Sequence, residues 1–140
     1  MSLFCELTYF NCLHVQQTKC GIFLSQTKYL KEILKKYGLE DCKPICTPIE
    51  IRCSLSQEYD TPSFNQSLYR SMIDNLLYLT GTQPYILHAV HIVGLFQANP
   101  KETHLKEVKR IFNYQQGNQD LGLWYHKNID FSIHAYINVD

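Results

Sequence analysis

A long stretch without regular spacing of apolar residues, residues 39–63, divides the sequence. It contains Lys43-Pro44 and Thr47-Pro48 and follows neither a helical nor a strand pattern. Because proline removes a backbone donor and biases the preceding residue toward extended geometry, we predict that the stretch is a connector. Connectors of this length are uncommon inside one compact domain. We therefore expect it to join two packing units.

The residues before the connector predict a β-hairpin and a helix. Side chains alternate between two faces from Leu7 to Val15, residues 16–21 are expected to turn, and Ile22-Phe23-Leu24 resumes the extended pattern. We expect Ser25 to cap the following helix, which Gly38 ends in a left-handed conformation. The apolar face of this helix is formed by Leu30, Ile33, Leu34 and Tyr37.

The residues after the connector predict three helices. The first ends near Thr80-Gly81, the second begins at Pro84 and runs through Phe96, and the third stops before Gly117. The apolar stripe of the first helix comprises Leu68, Met72, Ile73, Leu76 and Leu77, and that of the third comprises Leu105, Val108, Ile111 and Phe112.

Two short runs near the end of the chain, residues 121–125 and 131–136, predict a second hairpin. We expect Trp124 and Tyr125 in this hairpin to be core residues rather than a base-stacking platform. The fold class is therefore predicted to be α+β.

Composition excludes several classes of protein. Thirteen Lys and Arg balance thirteen Asp and Glu, which excludes a small, strongly basic domain and an acidic tail. With 45% hydrophobic residues the chain does not resemble a disordered protein. The absence of a signal-like segment and of a long apolar run predicts an intracellular chain without membrane contact, in an undetermined compartment.

The candidates for metal binding are sparse. The six cysteines are interpreted as free thiols, since four converging ligands are needed for zinc and only Cys42 and Cys46 form a closely spaced pair. His88 and His91 lie one helical turn apart in an apolar segment, and we expect them to be partly buried and hydrogen-bonded rather than metal ligands. The sequence contains no Gly-rich phosphate loop, G-x-S-x-G turn or H-E-x-x-H pair.

Two predicted helices carry basic residues on one side. The candidate nucleic-acid-binding residues are Lys28, Lys31, Lys35 and Lys36 on the first, and Lys106, Lys109 and Arg110 on the later one, with Lys101 just before them. These faces have two interpretations that remain open: a solvated helix surface, or a set of phosphate contacts.

Short runs spread over nearly the whole chain carry a family resemblance. They are Glu6–Phe10 with Leu13 and Val15, Gln17–Gln26, Tyr29-Leu30, Lys43-Pro44, Thr47-Pro48, Tyr69–Ile73, Leu76–Thr80, Phe96–Leu105, Val108–Phe112 and Leu121–Tyr125. Together they resemble the C-terminal part of the reverse transcriptase in copia-type retrotransposon Pol polyproteins, running into the start of ribonuclease H.

The resemblance implies a domain organisation. Residues 1–38 correspond to the end of the palm, with the primer-gripping turn, and a thumb-like helix. Residues 39–63 are the linker, residues 64–118 form connection-like helices, and residues 119–140 are a truncated start of a ribonuclease H-like domain. The expected α+β fold is thus an N-terminal hairpin and thumb-like helix, a long linker, a three-helix connection-like unit and an incomplete C-terminal hairpin.

The resemblance also implies that catalytic residues are missing from this chain. The family's Tyr-x-Asp-Asp polymerase turn is not in the sequence. Asn138 stands where ribonuclease H has its first metal-binding carboxylate, and an amide oxygen carries no charge to hold Mg²⁺. We therefore expect no cofactor in this chain, whereas the intact family enzyme uses magnesium.

Three functional hypotheses follow. The first is a non-catalytic fragment or remnant of a Pol polyprotein whose family activity is RNA-directed DNA synthesis. The second is a weak, sequence-independent binding module for RNA–DNA or DNA duplexes that uses the basic helical faces. The third is a part of an active RNA-directed DNA polymerase encoded by a longer frame. No small-molecule substrate or membrane partner is indicated.

Two departures from the family pattern have structural consequences. Cys12 occupies a position where the family has a glycine, and a side chain there hinders a positive φ angle. Gln115 replaces a large apolar residue inside a helix.

Overall fold

The computed structural model describes residues 6–10, 12–49 and 61–126. The described residues form, in chain order, β1 (Glu6–Phe10), β2 (Leu13–Thr18), β3 (Gly21–Ser25), α1 (Thr27–Lys36), α2 (Gln66–Leu79), a 3-10 helix (Pro84–Ile86), α3 (Leu87–Gly94), α4 (Glu102–Gln116) and β4 (Gly122–His126). The predicted α+β class is confirmed.

The strands form one antiparallel sheet in the order β1-β2-β3-β4. The chain passes through all the helices before β4 returns to pair with β3, where Trp124 lies opposite Phe23. Gly21 permits this close approach, because a Cβ atom there would collide with the carbonyl oxygen of Tyr125. The first run of the predicted C-terminal hairpin is therefore a strand, and its second run, residues 131–136, lies outside the described residues.

The N-terminal hairpin differs from the prediction in where it turns. The expected single strand from Leu7 to Val15 is two strands, and Cys12 between them has a φ of 65°. β2 continues through Thr18, because backbone pairing with β3 does not depend on side-chain polarity. The predicted turn over residues 16–21 is thus wrong, and the chain reverses at Lys19-Cys20.

Helix α1 has the predicted apolar face but not the predicted cap. Leu30, Ile33 and Leu34 are buried, and Gly38 has the expected left-handed φ of 68°. The N-cap is Gln26 rather than Ser25, because β3 runs through Ser25. Gln26 cannot cap the helix with its side chain, which is buried and hydrogen-bonded to Thr82 at 2.7 Å.

Helix α2 is rotated slightly from the predicted orientation. Met72, Ile73 and Leu76 are buried as expected, but Leu68 and Leu77 are 40% and 39% exposed. The remaining buried positions are Tyr69 and Leu79. These five buried residues follow the i, i+3, i+4 spacing of one helical face more closely than the predicted stripe does.

The other two helices agree with their predictions in outline. The segment expected as one helix from Pro84 to Phe96 consists of the 3-10 helix and α3. In α4, Val108, Ile111 and Phe112 are buried, and Leu105 is partly buried against the core.

One cluster of buried side chains contains residues from α1 as well as from α2, α3 and α4. The Tyr37 ring lies 5.6 Å from that of Phe112. Asn75 accepts a hydrogen bond from Tyr29 Oη at 3.0 Å and donates one to Tyr37 Oη at 2.6 Å. Helix α1 therefore packs in the same core as the helices after the connector, while the predicted domain limits stay a prediction.

The described ends of the connector are attached to α4. Ile45 N–H donates to the Asn113 carbonyl oxygen at 3.4 Å, and the Arg110 guanidinium donates to Thr47 Oγ1 at 3.0 Å. On the far side, Glu102 N–H donates to the Pro62 carbonyl oxygen at 3.1 Å. These bonds place Ile45 and Thr47 against the basic side of α4, and Pro62 at its start.

Candidate nucleic-acid interface

Helix α1 presents three lysines to one groove. Lys28, Lys31 and Lys35 are exposed and line a cavity of about 380 Å³, which we call the α1 groove. Their i, i+3, i+7 spacing places them on one side of the helix while Leu30, Ile33 and Leu34 face the core. The arrangement places three lysines along one groove.

The opposite wall of the α1 groove comes from the end of α4. Gln116 and Gln119 line it, and the Gln119 amide donates to Gln116 Oε1 at 2.7 Å. The wall is joined to the start of α1, because Thr27 Oγ1 donates to the Gln119 carbonyl oxygen at 3.0 Å. Glu32 and Glu40 also line the groove, so two carboxylates offset part of its positive charge.

Lys36 does not join the other α1 lysines. It is absent from the groove lining, and its Nζ lies 5.3 Å from the centroid of the Tyr37 ring. This contact is a cation–π interaction at an exposed site. The structure therefore separates Lys36 from the other three predicted α1 residues.

The basic residues of α4 line a second cavity of about 380 Å³, the α4 groove. Lys106, Lys109 and Arg110 line it together with Ile45 and Glu107. The α1 and α4 grooves share no lining residue. The structure thus divides six of the seven predicted residues between two surfaces, and Lys36 lines neither groove. The nearby Lys101 is bonded elsewhere, since its Nζ donates to Ser63 Oγ at 3.1 Å.

A third cavity, of about 290 Å³, lies where β3 passes into α1. His14, Ser25, Thr27, Lys28 and Lys31 line this β3–α1 groove. Sequence reasoning missed it, because it assigned Ser25 to the cap of α1. The sequence does show that the first turn after Ser25-Gln26 contains no acidic residue, and this could have indicated a groove without a carboxylate there.

Two expectations about aromatic and histidine residues are wrong. Trp124 and Tyr125 are 48% and 54% exposed, since the strand that carries them lies at an edge of the described sheet and away from the helical core. His88 and His91 are exposed rather than partly buried, because Ala89, Val90 and Val93 occupy the core-facing side of α3.

The described part of the chain contains no group of three or more His, Cys, Asp or Glu side chains placed to hold a metal ion. Cys42 and Cys46 are free thiols, and burial raises the pKa of Cys42 above its usual value. Asn138 lies outside the described residues. No helix among the described residues is long and apolar enough to cross a membrane.

Burial raises the pKa of a tyrosine that connects α1 to α2. Desolvation raises the pKa of Tyr29 to about 12, with smaller contributions from Cys12, Tyr78 and Tyr37. Its hydroxyl donates to Asn75 Oδ1 at 3.0 Å and connects α1 to α2. The groove lysines are thereby held on a helix that is anchored at its inner face.

Comparison with known proteins places this chain among retrotransposon sequences. It is 36% identical over 135 residues to the uncharacterized mitochondrial protein AtMg00810 of Arabidopsis thaliana, covering 94% of this chain and 55% of that protein. It is 33% identical over 135 residues to the retrovirus-related Pol polyprotein from transposon RE1 of the same plant, covering 96% of this chain and 9% of the polyprotein. No family model and no solved structure matches it.

A Pol polyprotein from another plant adds to this evidence. The chain is 30% identical over 109 residues to the retrovirus-related Pol polyprotein from transposon TNT 1-94 of Nicotiana tabacum, covering 73% of this chain and 8% of that protein. The chain is therefore related to copia-type Pol polyproteins and to AtMg00810-like retrotransposon proteins, and the predicted resemblance to copia-type Pol polyproteins is confirmed. It spans 55% of the mitochondrial relative and less than a tenth of the polyproteins.

Proposed function

We propose that the chain corresponds to the thumb and connection region of a copia-type reverse transcriptase together with the start of ribonuclease H. In this proposal it is not catalytic by itself and holds a nucleic-acid duplex by its phosphates. Its relation to Pol polyproteins over 96% of its length supports the origin. Asn138, at the position of the expected metal-binding carboxylate, supports the lack of catalysis.

The observation that carries the binding function is the α1 groove. Seven residues separate Lys28 from Lys35, which corresponds to about 10 Å along a helix that rises 1.5 Å per residue. Phosphates of one strand of a duplex recur about every 3.4 Å along its axis, so the three ammonium groups span several of them. Contacts of this kind hold any sequence, because the phosphate backbone carries no base information.

The α4 groove is less suited to this role. The guanidinium of Arg110 is already hydrogen-bonded to Thr47 of the connector, and Glu107 adds a carboxylate to the lining. Breaking the bond to Thr47 would offset part of any phosphate contact that Arg110 gained. We therefore assign the main phosphate contacts to α1 and a minor contribution to Lys106 and Lys109.

The affinity is expected to be modest. The α1 groove contains two carboxylates beside its three lysines, and the formal net charge of the whole chain is zero. Long-range attraction of a polyanion is correspondingly small. Binding should thus be clear at low salt and lost near physiological salt.

Fluorescence anisotropy with a labelled RNA–DNA hybrid tests the assignment. The triple variant Lys28→Gln, Lys31→Gln, Lys35→Gln should bind more than about tenfold more weakly at low salt, because three phosphate contacts are removed. The double variant Lys106→Gln, Lys109→Gln is the matched control and should lose about threefold or less. Equal losses in the two variants, or no binding by the unchanged protein, would overturn the proposal.

The lack of catalysis is tested on the same hybrid in the presence of Mg²⁺. We expect neither primer extension nor cleavage of the RNA strand by the purified chain. Magnesium-dependent cleavage that disappears in an Asp140→Asn variant would contradict this part of the proposal. Binding and catalysis are measured separately, so either part can fail alone.

A further inference from the structure

Three side chains that line the α4 groove have unsatisfied polar atoms. Glu107, Arg110 and Asn113 follow one another at intervals of three residues along α4. Glu107 Oε2, Arg110 Nε and Asn113 Oδ1 are shielded from solvent, and none of the three has a hydrogen-bond partner within the described part of the chain. Buried polar atoms normally have a partner, because leaving one unsatisfied destabilises the fold. Three such atoms at one groove indicate a site that a ligand completes.

The connector anchors this groove without using the unsatisfied atoms. The Arg110 guanidinium donates to Thr47 Oγ1 through Nη2, at 3.0 Å, which leaves Nε free for another acceptor. Ile45, which also lines the groove, donates its N–H to the Asn113 carbonyl oxygen at 3.4 Å. A ligand can therefore accept a hydrogen bond from Arg110 Nε while the bond to Thr47 stays in place.

The charges and acceptors of the groove restrict the chemistry of the ligand. Lys106, Lys109 and Arg110 are cationic and Glu107 is anionic, so the lining has an excess of positive charge that favours an anion. The unsatisfied oxygens of Glu107 and Asn113 require two N–H donors. A simple anion provides no N–H group. The ligand therefore has to combine negative charge with at least two N–H groups and one acceptor.

We propose that the α4 groove binds one nucleotide whose base carries an amino group, namely adenine, cytosine or guanine. The two amino hydrogens serve Glu107 Oε2 and Asn113 Oδ1, and a base nitrogen or carbonyl oxygen accepts from Arg110 Nε. Lys106 and Lys109 hold the phosphate. The cavity of about 380 Å³ lies within the size range of small-ligand sites, about 300–1,000 Å³. Uracil has no amino group and leaves one of the two oxygens unsatisfied.

Binding requires a change of side-chain rotamer, because the three atoms are shielded from solvent. Glu107, Arg110 and Asn113 are each partly exposed as residues, and rotamer changes of this kind are common on binding. An alternative without a ligand is an ion pair between Glu107 and Arg110, which are neighbours on the helix surface. That pair would satisfy two of the atoms and give no preference among bases.

The nucleotide has two sources, a free mononucleotide and an unpaired nucleotide of an RNA or DNA strand. Both present the same base edge and a phosphate to the groove. The inference does not rest on the proposed duplex binding, since the α1 and α4 grooves share no lining residue.

Backbone amide chemical shifts in the full-length chain test the site. Adenosine, cytidine, guanosine and uridine monophosphates and inorganic phosphate are titrated separately. Saturable shifts at the amides of Ile45 and of residues 106–113 are expected for at least one amino-bearing nucleotide. Uridine monophosphate should bind at least about tenfold more weakly than the tightest of these, because one acceptor stays unsatisfied. Equal affinities for all four nucleotides, equal affinity for inorganic phosphate, or no saturable shift overturns the inference.

A pair of variants separates base recognition from charge. Glu107→Met removes an acceptor and should weaken the tightest nucleotide about tenfold. Attraction of the phosphate by charge alone predicts the opposite sign, since the groove becomes more positive. Glu102→Met is the matched control, because it removes the same charge from an exposed position of α4 outside the groove and should not weaken binding. Equal weakening in both variants, or tighter binding by Glu107→Met, contradicts the site. Thermal melts confirm folding, and the comparison of nucleotides needs no variant.

A short single strand made only of the preferred nucleotide identifies the source. Affinity at least equal to that of the mononucleotide assigns the unpaired nucleotide of a strand, whereas weaker binding of the strand assigns the free mononucleotide. The Lys28→Gln, Lys31→Gln, Lys35→Gln variant should bind the nucleotide unchanged. Nucleotide binding without duplex binding supports this site and overturns the proposed function, and duplex binding without a preference among nucleotides does the reverse.

Discussion

The two lysine-rich helices, α1 and α4, begin in opposite ways. Helix α4 starts with Glu102 in its first turn, and the Lys101 N–H donates to Nδ1 of His104 at 3.0 Å. Helix α1 starts without a side-chain cap and without an acidic residue. The start of α4 therefore has an acidic residue near the positive end of the helix dipole and a bonded amide at Lys101, whereas the first turn of α1 has no acidic residue.

The same contrast continues along the two helices. Thr47 of the connector accepts a hydrogen bond from the Arg110 guanidinium of α4, whereas Lys31 and Lys35 of α1 line the α1 groove. A count of lysines alone does not reveal this difference. A basic helical face becomes a candidate phosphate surface only where the rest of the fold leaves its donors accessible.

The largest expected effect on stability comes from the buried cluster that α1 and α4 share. Phe112→Ala in α4 and Leu34→Ala in α1 should each lower the free energy of unfolding by about 3 kcal/mol or more, because both side chains are fully or almost fully buried in one cluster. Urea unfolding followed by circular dichroism measures the change. Leu77→Ala, at a 39% exposed position of α2, is the control with a small expected effect.

That experiment also tests how α1 packs. One cooperative transition, shifted in both variants, agrees with a common core. A two-step transition in which Leu34→Ala changes one step only would indicate that α1 unfolds separately from α4.

A smaller effect is expected at the start of α4. His104→Ala removes the acceptor of the Lys101 N–H and the ring stacked 4.0 Å from Phe96, at a fully buried position. We expect a loss of about 2 kcal/mol, as for a lost cap and a lost buried side chain. Thermal unfolding is the measurement. His91→Ala, at an exposed position of α3, should leave the midpoint unchanged, and equal effects of the two variants would contradict the assigned cap.

The smallest expected effect is a gain in stability at Gln115. Gln115 is fully buried in α4, and neither its Oε1 nor its Nε2 has a hydrogen-bond partner among the described residues. Gln115→Leu should raise the free energy of unfolding by about 1–2 kcal/mol, since an unsatisfied polar group is replaced by an apolar one of similar size. The same change at Gln116, whose amide donates to the Glu40 carbonyl oxygen, should not stabilise. A loss of stability at position 115 would contradict the packing of α4.

The sequence predicts the helices better than the sheet. The apolar faces of α1 and α4 follow from spacing alone, because a buried helical face must repeat every three to four residues. The reversal at Cys12 and the continuation of β2 through Thr18 do not follow from spacing. They depend on pairing with β3, and the position of β4 depends on a return through all the helices.

In the candidate site, too, some features follow from residue spacing and others only from the folded structure. Spacing places Lys28, Lys31 and Lys35 on one side of α1, and the structure adds the wall that turns this side into a groove. The role of Ser25 does not follow from its sequence, since a serine before a helix usually caps it. In the structure Ser25 is the last residue of β3, and it lines the β3–α1 groove.

The salt dependence of duplex binding shows whether the phosphate contacts lie on α1. The affinity for the RNA–DNA hybrid is measured over a series of salt concentrations for the unchanged protein and for the Lys28→Gln, Lys31→Gln, Lys35→Gln variant. We expect the slope of log affinity against log salt to become shallower by about 2 to 3 in the variant, because each lost phosphate contact removes about 0.9. An unchanged slope would contradict the assignment of the phosphate contacts to α1.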